Sequence, residues 1–312
     1  MLAAAVTLLP QHTAHAANEG PAFVLDLKSD LILYSEEADR LWHPASLTKL
    51  MTAYMTFEAL KSGRITKNSK LHNSATARAQ PPSKIGLPLN ATLTVGKGLE
   101  ILIVKSANDV AVMFAEKLGG SVDNFAKMMN QTARRLGMRK TRFFNPHGLP
   151  HKDQVTTARD MAILAKAIIR DFPEHDHLFS MGSVKVGNRR MRSHNGLLRT
   201  YEGADGMKTG FICASGFNVV ASATRNGRRI IAVVLGARTP KLRRARAEKL
   251  FDHAFQNFWW KTLFPFTLAD ASEKGAIHKG PANMRSKVCN YRPKKKYVKR
   301  KKKKKAVKKA KK

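Results

Sequence analysis

The chain has 312 residues, 43% of them hydrophobic, with 57 Lys+Arg against 22 Asp+Glu and a formal net charge of +35. That length supplies one large domain or two modest ones with a real core, and the apolar fraction excludes disorder along most of the chain. No apolar run approaches the roughly 20 residues that cross a bilayer as a helix, so no transmembrane helix is expected.

In chain order, Leu2–Leu9 is a short apolar run, and Ala14-His15-Ala16 has small residues at both ends in the manner of a signal-peptidase site. Residues 1–16 are therefore read as a secretory signal peptide; no Lys or Arg follows Met1, which a start placed a few codons late explains. Phe23–Leu27 and Leu31–Tyr34 flank Lys28-Ser29-Asp30 and predict a hairpin. His43-Pro44-Ala45 breaks the pattern, and Leu47, Leu50, Tyr54 and Phe57 predict a helix from Ser46 to about Leu60, closed by Gly63.

From Ile65 to about Asp171 the chain reads as largely helical. Leu99–Leu118 is apolar at helical spacing but interrupted at Ser106-Ala107-Asn108-Asp109, Val122–Leu136 forms a further helix, and Thr157–Asp160 has capping-box spacing ahead of Met161–Ile169. The second half turns to strands at Ser183–Val186, Phe217–Thr224 and Ile230–Leu235, the last two joined by the tight-hairpin pair Asn226-Gly227. A helix over about Leu242–Phe258 follows. This order predicts a layered α/β (α+β) fold: a central antiparallel sheet flanked by the first and last helices, with a helical lobe inserted between.

Charge is unevenly placed. Seventeen basic and no acidic residues lie in 285–312, leaving 40 basic against 22 acidic, or +18, for the rest. Such a block repels itself and reads as a disordered, solvated tail suited to a polyanion, and composition alone puts nucleic acid first. The two cysteines, Cys213 and Cys289, make neither a disulfide scaffold nor a zinc site; they are free thiols or one bridge.

Three short motifs carry chemistry. In Ser46-Leu47-Thr48-Lys49 the i, i+3 spacing puts amine and hydroxyl on one helix face, where a lysine of depressed pKa can activate the serine. A helix N-terminus at Ser46 also offers backbone N–H groups to an oxyanion. Ser106-Ala107-Asn108 supplies a hydroxyl and an amide that can face one cleft, for proton relay and for holding a carbonyl. Lys208-Thr209-Gly210 supplies a cation and a donor for a carboxylate, with a glycine that lets backbone approach. Each alone is weak, because such residues are common in turns and helices.

Together, S-x-x-K, S-x-N and K-T-G in this order form the set of penicillin-binding proteins and serine β-lactamases. The surrounding text, Ser46–Tyr54, Ser106–Asp109, Asn145-Pro146-His147-Gly148-Leu149, Gly203–Gly210 and Ser215–Ala223, resembles the D-alanyl-D-alanine carboxypeptidases of peptidase family S11, over about Phe23–Phe258. The resemblance implies a β-lactamase/transpeptidase-like fold and a serine D-Ala-D-Ala carboxypeptidase acting on peptidoglycan stem peptides, with β-lactam antibiotics as inhibitors and no metal or organic cofactor. It implies Ser46 as nucleophile, Lys49 as general base and Ser106 as proton relay. Asn108 would hold a substrate amide carbonyl; Lys208 and Thr209, with Gly210 and Arg243 beside them, would bind the terminal carboxylate, and the backbone N–H groups of Ser46 and Phe211 would form the oxyanion hole. His147 is read as a structural loop histidine, and Asp109 and Asp205 as braces.

The chain then divides into a signal peptide at 1–16, the enzyme domain at 17–262 and a Pro/Lys-rich basic tail at 263–312, for an exported protein of the periplasm or envelope held peripherally at the membrane. For such a protein the tail points to anionic lipid or wall polymer rather than nucleic acid. The alternatives are a D,D-endopeptidase cutting cross-links with the same residues, and an envelope-binding module with vestigial catalysis. A β-lactamase is disfavoured by the lack of a well-placed extra glutamate for deacylation.

Overall fold

In the computed structural model the described residues are 20–263, 265–271 and 280–290. The expected signal peptide at 1–16 and the basic run 291–312 lie outside them. Five strands form an antiparallel sheet: β1 (Ala22–Asp26), β2 (Ile32–Glu36), β3 (Ala204–Ile212), β4 (Gly216–Arg225) and β5 (Arg228–Ala237), in the spatial order β2-β1-β5-β4-β3. The first and last parts of the chain thus meet in one sheet, and β3, which carries Lys208-Thr209-Gly210, is its edge. Asn226 and Gly227 both adopt positive φ (49° and 71°), the turn that matches the twist of the β4–β5 hairpin.

The sheet strands alternate with period two, so each face has its own core. Val219, Ala221 and Ala223 of β4 and Ile230, Ala232 and Val234 of β5 pack with Ala247, Leu250, Phe251 and Ala254 of the helix Pro240–Gln256. Thr239 caps that helix by accepting a hydrogen bond from Leu242 N–H, and Pro240 occupies its first turn. On the other face Val220, Ile231, Val233 and Leu235 meet the helical lobe. That lobe comprises α1 (Lys49–Lys61), α2 (Val95–Val104), α3 (Asn108–Gly119), α4 (Val122–Arg135) and α5 (Ala158–Asp171). Thr157 caps α5 by accepting from Asp160 N–H at 3.0 Å.

The predicted helix over 46–60 differs in two respects. It begins as a 3₁₀ turn, Ala45–Thr48, and becomes α-helical only at Lys49. From Lys49 to Phe57 nearly every residue is buried whatever side of the helix it lies on, so α1 is a central helix rather than an amphipathic one. Its polar residues must therefore find internal partners: Thr52 Oγ1 donates to Pro146 O (2.7 Å) and Thr56 Oγ1 to Thr52 O (2.8 Å).

The boundary expected at residue 262 cuts through contacts. Ile32 N–H donates to Phe266 O (2.8 Å) and Leu268 N–H to Asp30 O (3.1 Å), adding residues 265–271 beside β2. Met284, 5% exposed, enters the main core, and its N–H donates to Ala214 O (2.8 Å). The stretch read as tail thus carries apolar residues, Ala282, Met284 and Val288, that pack on the domain. Cys289 completes the attachment through a disulfide to Cys213, Cα–Cα 5.7 Å, so of the two readings of the cysteines the bridge is the observed one.

A cross-link spanning 76 residues restricts the unfolded chain. The Cys213→Ser/Cys289→Ser variant should lose about 3 kcal/mol of stability, a fall of roughly 5–10 °C in the midpoint by scanning calorimetry, and reductant should do the same to the native protein. Identical midpoints would show that the cross-link adds nothing to the stability of the domain.

Candidate active site

Three elements converge on one cleft of about 390 Å³: the turn before α1, the α2–α3 junction and the edge strand β3. Ser46, Ser106, Asn108, Thr209, Gly210, Phe211 and Arg243 all line it, so most of the residues singled out in sequence come together there. Lys49 and Lys208 lie buried in the walls, 1% and 3% exposed.

Lys49 follows Ser46 by one turn, and its Nζ sits 3.2 Å from Ser46 Oγ, 2.8 Å from Asn108 Oδ1 and 2.7 Å from His147 O. The last two oxygens can only accept. A neutral amine has two N–H donors and one lone pair, so it satisfies both and presents its lone pair to the Ser46 hydroxyl. The electrostatics favour that neutral form. Burial, followed by the charge of Lys208, holds the Lys49 amine well below the ordinary lysine range; Asp109 opposes this more weakly. An amine so placed can take a proton from Ser46.

Asp109 itself binds the loop that forms the opposite wall, accepting from the N–H groups of Ile85 (3.0 Å) and Gly86 (2.9 Å). Asn108 is fixed from both ends: Oδ1 accepts from Lys49, while Nδ2 donates to Pro81 O at 2.9 Å and keeps a second N–H for another acceptor. Ser106 has φ 61° and Ala45 φ 49°, conformations that cost a non-glycine residue energy and cluster at functional sites. The Ser106 Oγ is buried with no hydrogen-bond partner among the described residues.

On β3, Lys208 is pushed down to about 7 by burial and then by Arg243, and Arg243 down to about 10 by burial and then by Arg244. Among the described residues the cleft lining contains His147, His194 and Arg243 but no carboxylate. It is a site short of negative charge. Two glycines set the close contacts. A Cβ at Gly210 would stand 3.1 Å from the backbone nitrogens of Ser46 and Leu47, so the bare glycine brings β3 against the Ser46 turn. Gly148, at φ 87°, would carry a Cβ 1.8 Å from Ala45 O. Asp205 steadies the start of β3 by accepting from Ser222 Oγ (2.5 Å), Thr224 Oγ1 (2.6 Å) and Arg229 Nη2 (3.0 Å).

Sequence reasoning did not find the His147 carbonyl, the Pro82–Ser83 wall, or His194 and Phe217 as lining groups. The Asn145–Leu149 motif was visible, but a backbone carbonyl carries no side-chain signature. His147 is buried, its Nδ1 accepts from Leu149 N–H (3.1 Å), and burial with the nearby Lys49 pushes it down to about 3.

The family model of D-alanyl-D-alanine carboxypeptidases, peptidase S11, matches residues 8–239. The chain is 40% identical over 247 residues to D-alanyl-D-alanine carboxypeptidase DacA of Haemophilus influenzae, covering 77% of this chain and 63% of that one. It therefore spans a little under two thirds of that relative's length. Its fold superposes on penicillin-binding protein 5 of Haemophilus influenzae with a TM-score of 0.74 at 37% identity, over 77% of this chain and 71% of the other. Penicillin-binding protein D2 of Listeria monocytogenes, solved in an ampicillin-bound form, matches with a TM-score of 0.67 at 32% identity, over 76% and 97%. The expected β-lactamase/transpeptidase-like architecture is the one observed, and the chain belongs to the D-alanyl-D-alanine carboxypeptidase family, peptidase S11.

Proposed function

We propose that this protein is a serine-type carboxypeptidase that removes the terminal D-alanine from peptidoglycan stem peptides through an acyl-enzyme on Ser46. The observation that carries it is the Lys49 amine, 3.2 Å from Ser46 Oγ and held by two pure acceptors, in a cleft whose lining among the described residues includes no carboxylate. Neutral Lys49 takes the Ser46 proton as Oγ bonds to the carbonyl carbon between the two D-alanines. The backbone N–H groups of Ser46 and Phe211 receive the negative charge on the carbonyl oxygen. Ser106 passes the proton from Lys49 to the departing amine as the C–N bond breaks, a role that suits its unpartnered hydroxyl. Water then hydrolyses the ester.

Asn108 uses its spare N–H on a substrate amide carbonyl. Lys208, Thr209 and Arg243 bind the terminal carboxylate beside Gly210, and that anion stabilises the protonated form of Lys208, whose free value is about 7. A β-lactam presents the same acyl group and carboxylate, and it acylates Ser46 in the same way. The Cys213–Cys289 bridge supports export to an oxidising compartment, the periplasm or envelope. Among the described residues no helix is long and apolar enough to cross a membrane. The basic run 291–312 binds anionic lipid or wall polymer in this reading, at ~1 kcal/mol per Lys or Arg near the surface.

Two measurements test these assignments. Wild-type protein should take up a fluorescent penicillin covalently and release D-alanine from a stem pentapeptide, and Ser46→Ala should abolish both; D-alanine release that survives the substitution removes Ser46 from the mechanism. Deleting 291–312 leaves the disulfide in place and should end co-sedimentation with anionic vesicles while penicillin labelling persists. Unchanged sedimentation would assign lipid binding to the domain instead.

A further inference from the structure

Outside the cleft, the strongest unexplained feature is a two-stranded hairpin, Ser183–Val186 paired with Arg189–Arg192. Its register sets Val184 opposite Met191, and these pack on the core; Lys185 stands opposite Arg190, and Ser183 opposite Arg192. By the period-two rule Lys185, Arg190 and Arg192 therefore share the outward face, and all three are exposed. Like charges set directly opposite destabilise a ladder. Charges that only keep an edge strand from pairing can be of either sign, but here all are positive. Among the described residues no carboxylate lies within ion-pair distance of any of the three; Arg190 Nε donates only to Ser183 Oγ at 2.9 Å.

The hairpin is tied to the walls of the cleft at two points. Arg189 Nη2 donates to Ile85 O (3.3 Å), which joins it to the wall bearing Pro82 and Ser83. Its second strand runs on through Ser193 into His194, a lining residue whose carbonyl accepts from Arg243 Nη2 (3.3 Å). The hairpin's second strand thus leads into the cleft beside Arg243, which in the carboxypeptidase reading binds the carboxylate of the departing residue. A single D-alanine ends at that carboxylate. A larger leaving group would extend past Arg243 toward the strand that leads back to the hairpin.

We propose that the outward face of this hairpin, Lys185, Arg190 and Arg192, is a specificity surface for carboxylates on a leaving group larger than one amino acid, an acidic peptide joined to the acyl D-alanine through one of its amines. This rests on the proposed carboxypeptidase reading. The bond exchange is unchanged: the Ser46 ester forms, the amide C–N bond breaks, the amine of the acidic peptide leaves with the proton relayed by Ser106, and water regenerates the hydroxyl. Only the departing group differs, and the hairpin contributes positioning and attraction rather than chemistry.

The test compares three synthetic substrates: a stem pentapeptide ending in D-alanine, a cross-linked dimer whose leaving strand keeps its carboxylates, and the same dimer with the leaving-strand carboxylates amidated except the one next to the scissile amide. Wild type should favour the acidic dimer over the amidated one by about tenfold in kcat/KM at low salt, with the preference fading as salt screens exposed charges. The triple variant Lys185→Gln/Arg190→Gln/Arg192→Gln should lose the preference and keep pentapeptide hydrolysis within about twofold. Arg190→Gln alone, checked for fold by penicillin labelling, should lose part of it. Equal rates on both dimers in the wild type, or no cleavage of either while D-alanine release is intact, overturn the hairpin's role and leave the carboxypeptidase reading standing. A preference retained in the triple variant also overturns it. Absence of D-alanine release from wild type overturns both.

Discussion

A lysine amine buried among neutral acceptors is the constraint around which the rest of the molecule is arranged. Taking a cation out of water costs far more than taking out an amine, so an interior that offers Lys49 only Asn108 Oδ1, the His147 carbonyl and a serine hydroxyl favours the uncharged form. A carboxylate in direct contact would reverse that preference. The acid that acts on Lys49 most directly, Asp109, instead spends its oxygens on the backbone of Ile85 and Gly86. Asp109 thus braces the wall and leaves Lys49 with neutral hydrogen-bond partners.

That arrangement requires three distant stretches of chain to meet at fixed separations. The Ala45–Thr48 turn is pressed between β3, through Gly210, and the Asn145–Leu149 loop, through Gly148; a Cβ would crowd the turn's backbone at the first and overlap the Ala45 carbonyl at the second. The edge strand β3 is in turn held by Asp205 and Arg229, and its far end by Cys213 and the C-terminal segment. An edge strand has backbone groups to spare on its outer side, which is where an extended peptide can lie. Position in the sheet and chemistry of the K-T-G residues are thus the same fact seen at two scales.

How much of this was legible in the sequence depended on whether a signal was local. Turn and cap chemistry read well: Asn226-Gly227 makes its hairpin turn and Thr157 its cap, because both depend on neighbours within four residues. Element order predicted the antiparallel sheet and the last helix on one face, but the opposite face is covered by α5 rather than by the first helix, α1, which packs among the other helices of the lobe. The character of α1 was not legible, since a helix buried on every side has no polar face to mark its period. Nor was the packing of 280–290, where three apolar residues and one cysteine attach to the domain a segment that leads into the basic run beyond it. At the site, side-chain motifs predicted which residues gather in the cleft, while the His147 carbonyl and the Pro82–Ser83 wall depend on backbone path alone.

The central claim is that Lys49 is a neutral base facing Ser46 at physiological pH, and the pH dependence of Ser46 acylation tests it most directly. The second-order rate of penicillin labelling, followed by stopped flow, should rise through a pKa well below the ordinary lysine value of about 10.4. It should fall again above about 7 as free Lys208 loses the proton that attracts the carboxylate, and Lys208→Arg should move that fall to higher pH. A rate that keeps climbing toward the ordinary lysine range would mean that Lys49 is a cation in the resting protein and contradict its role as the base that activates Ser46.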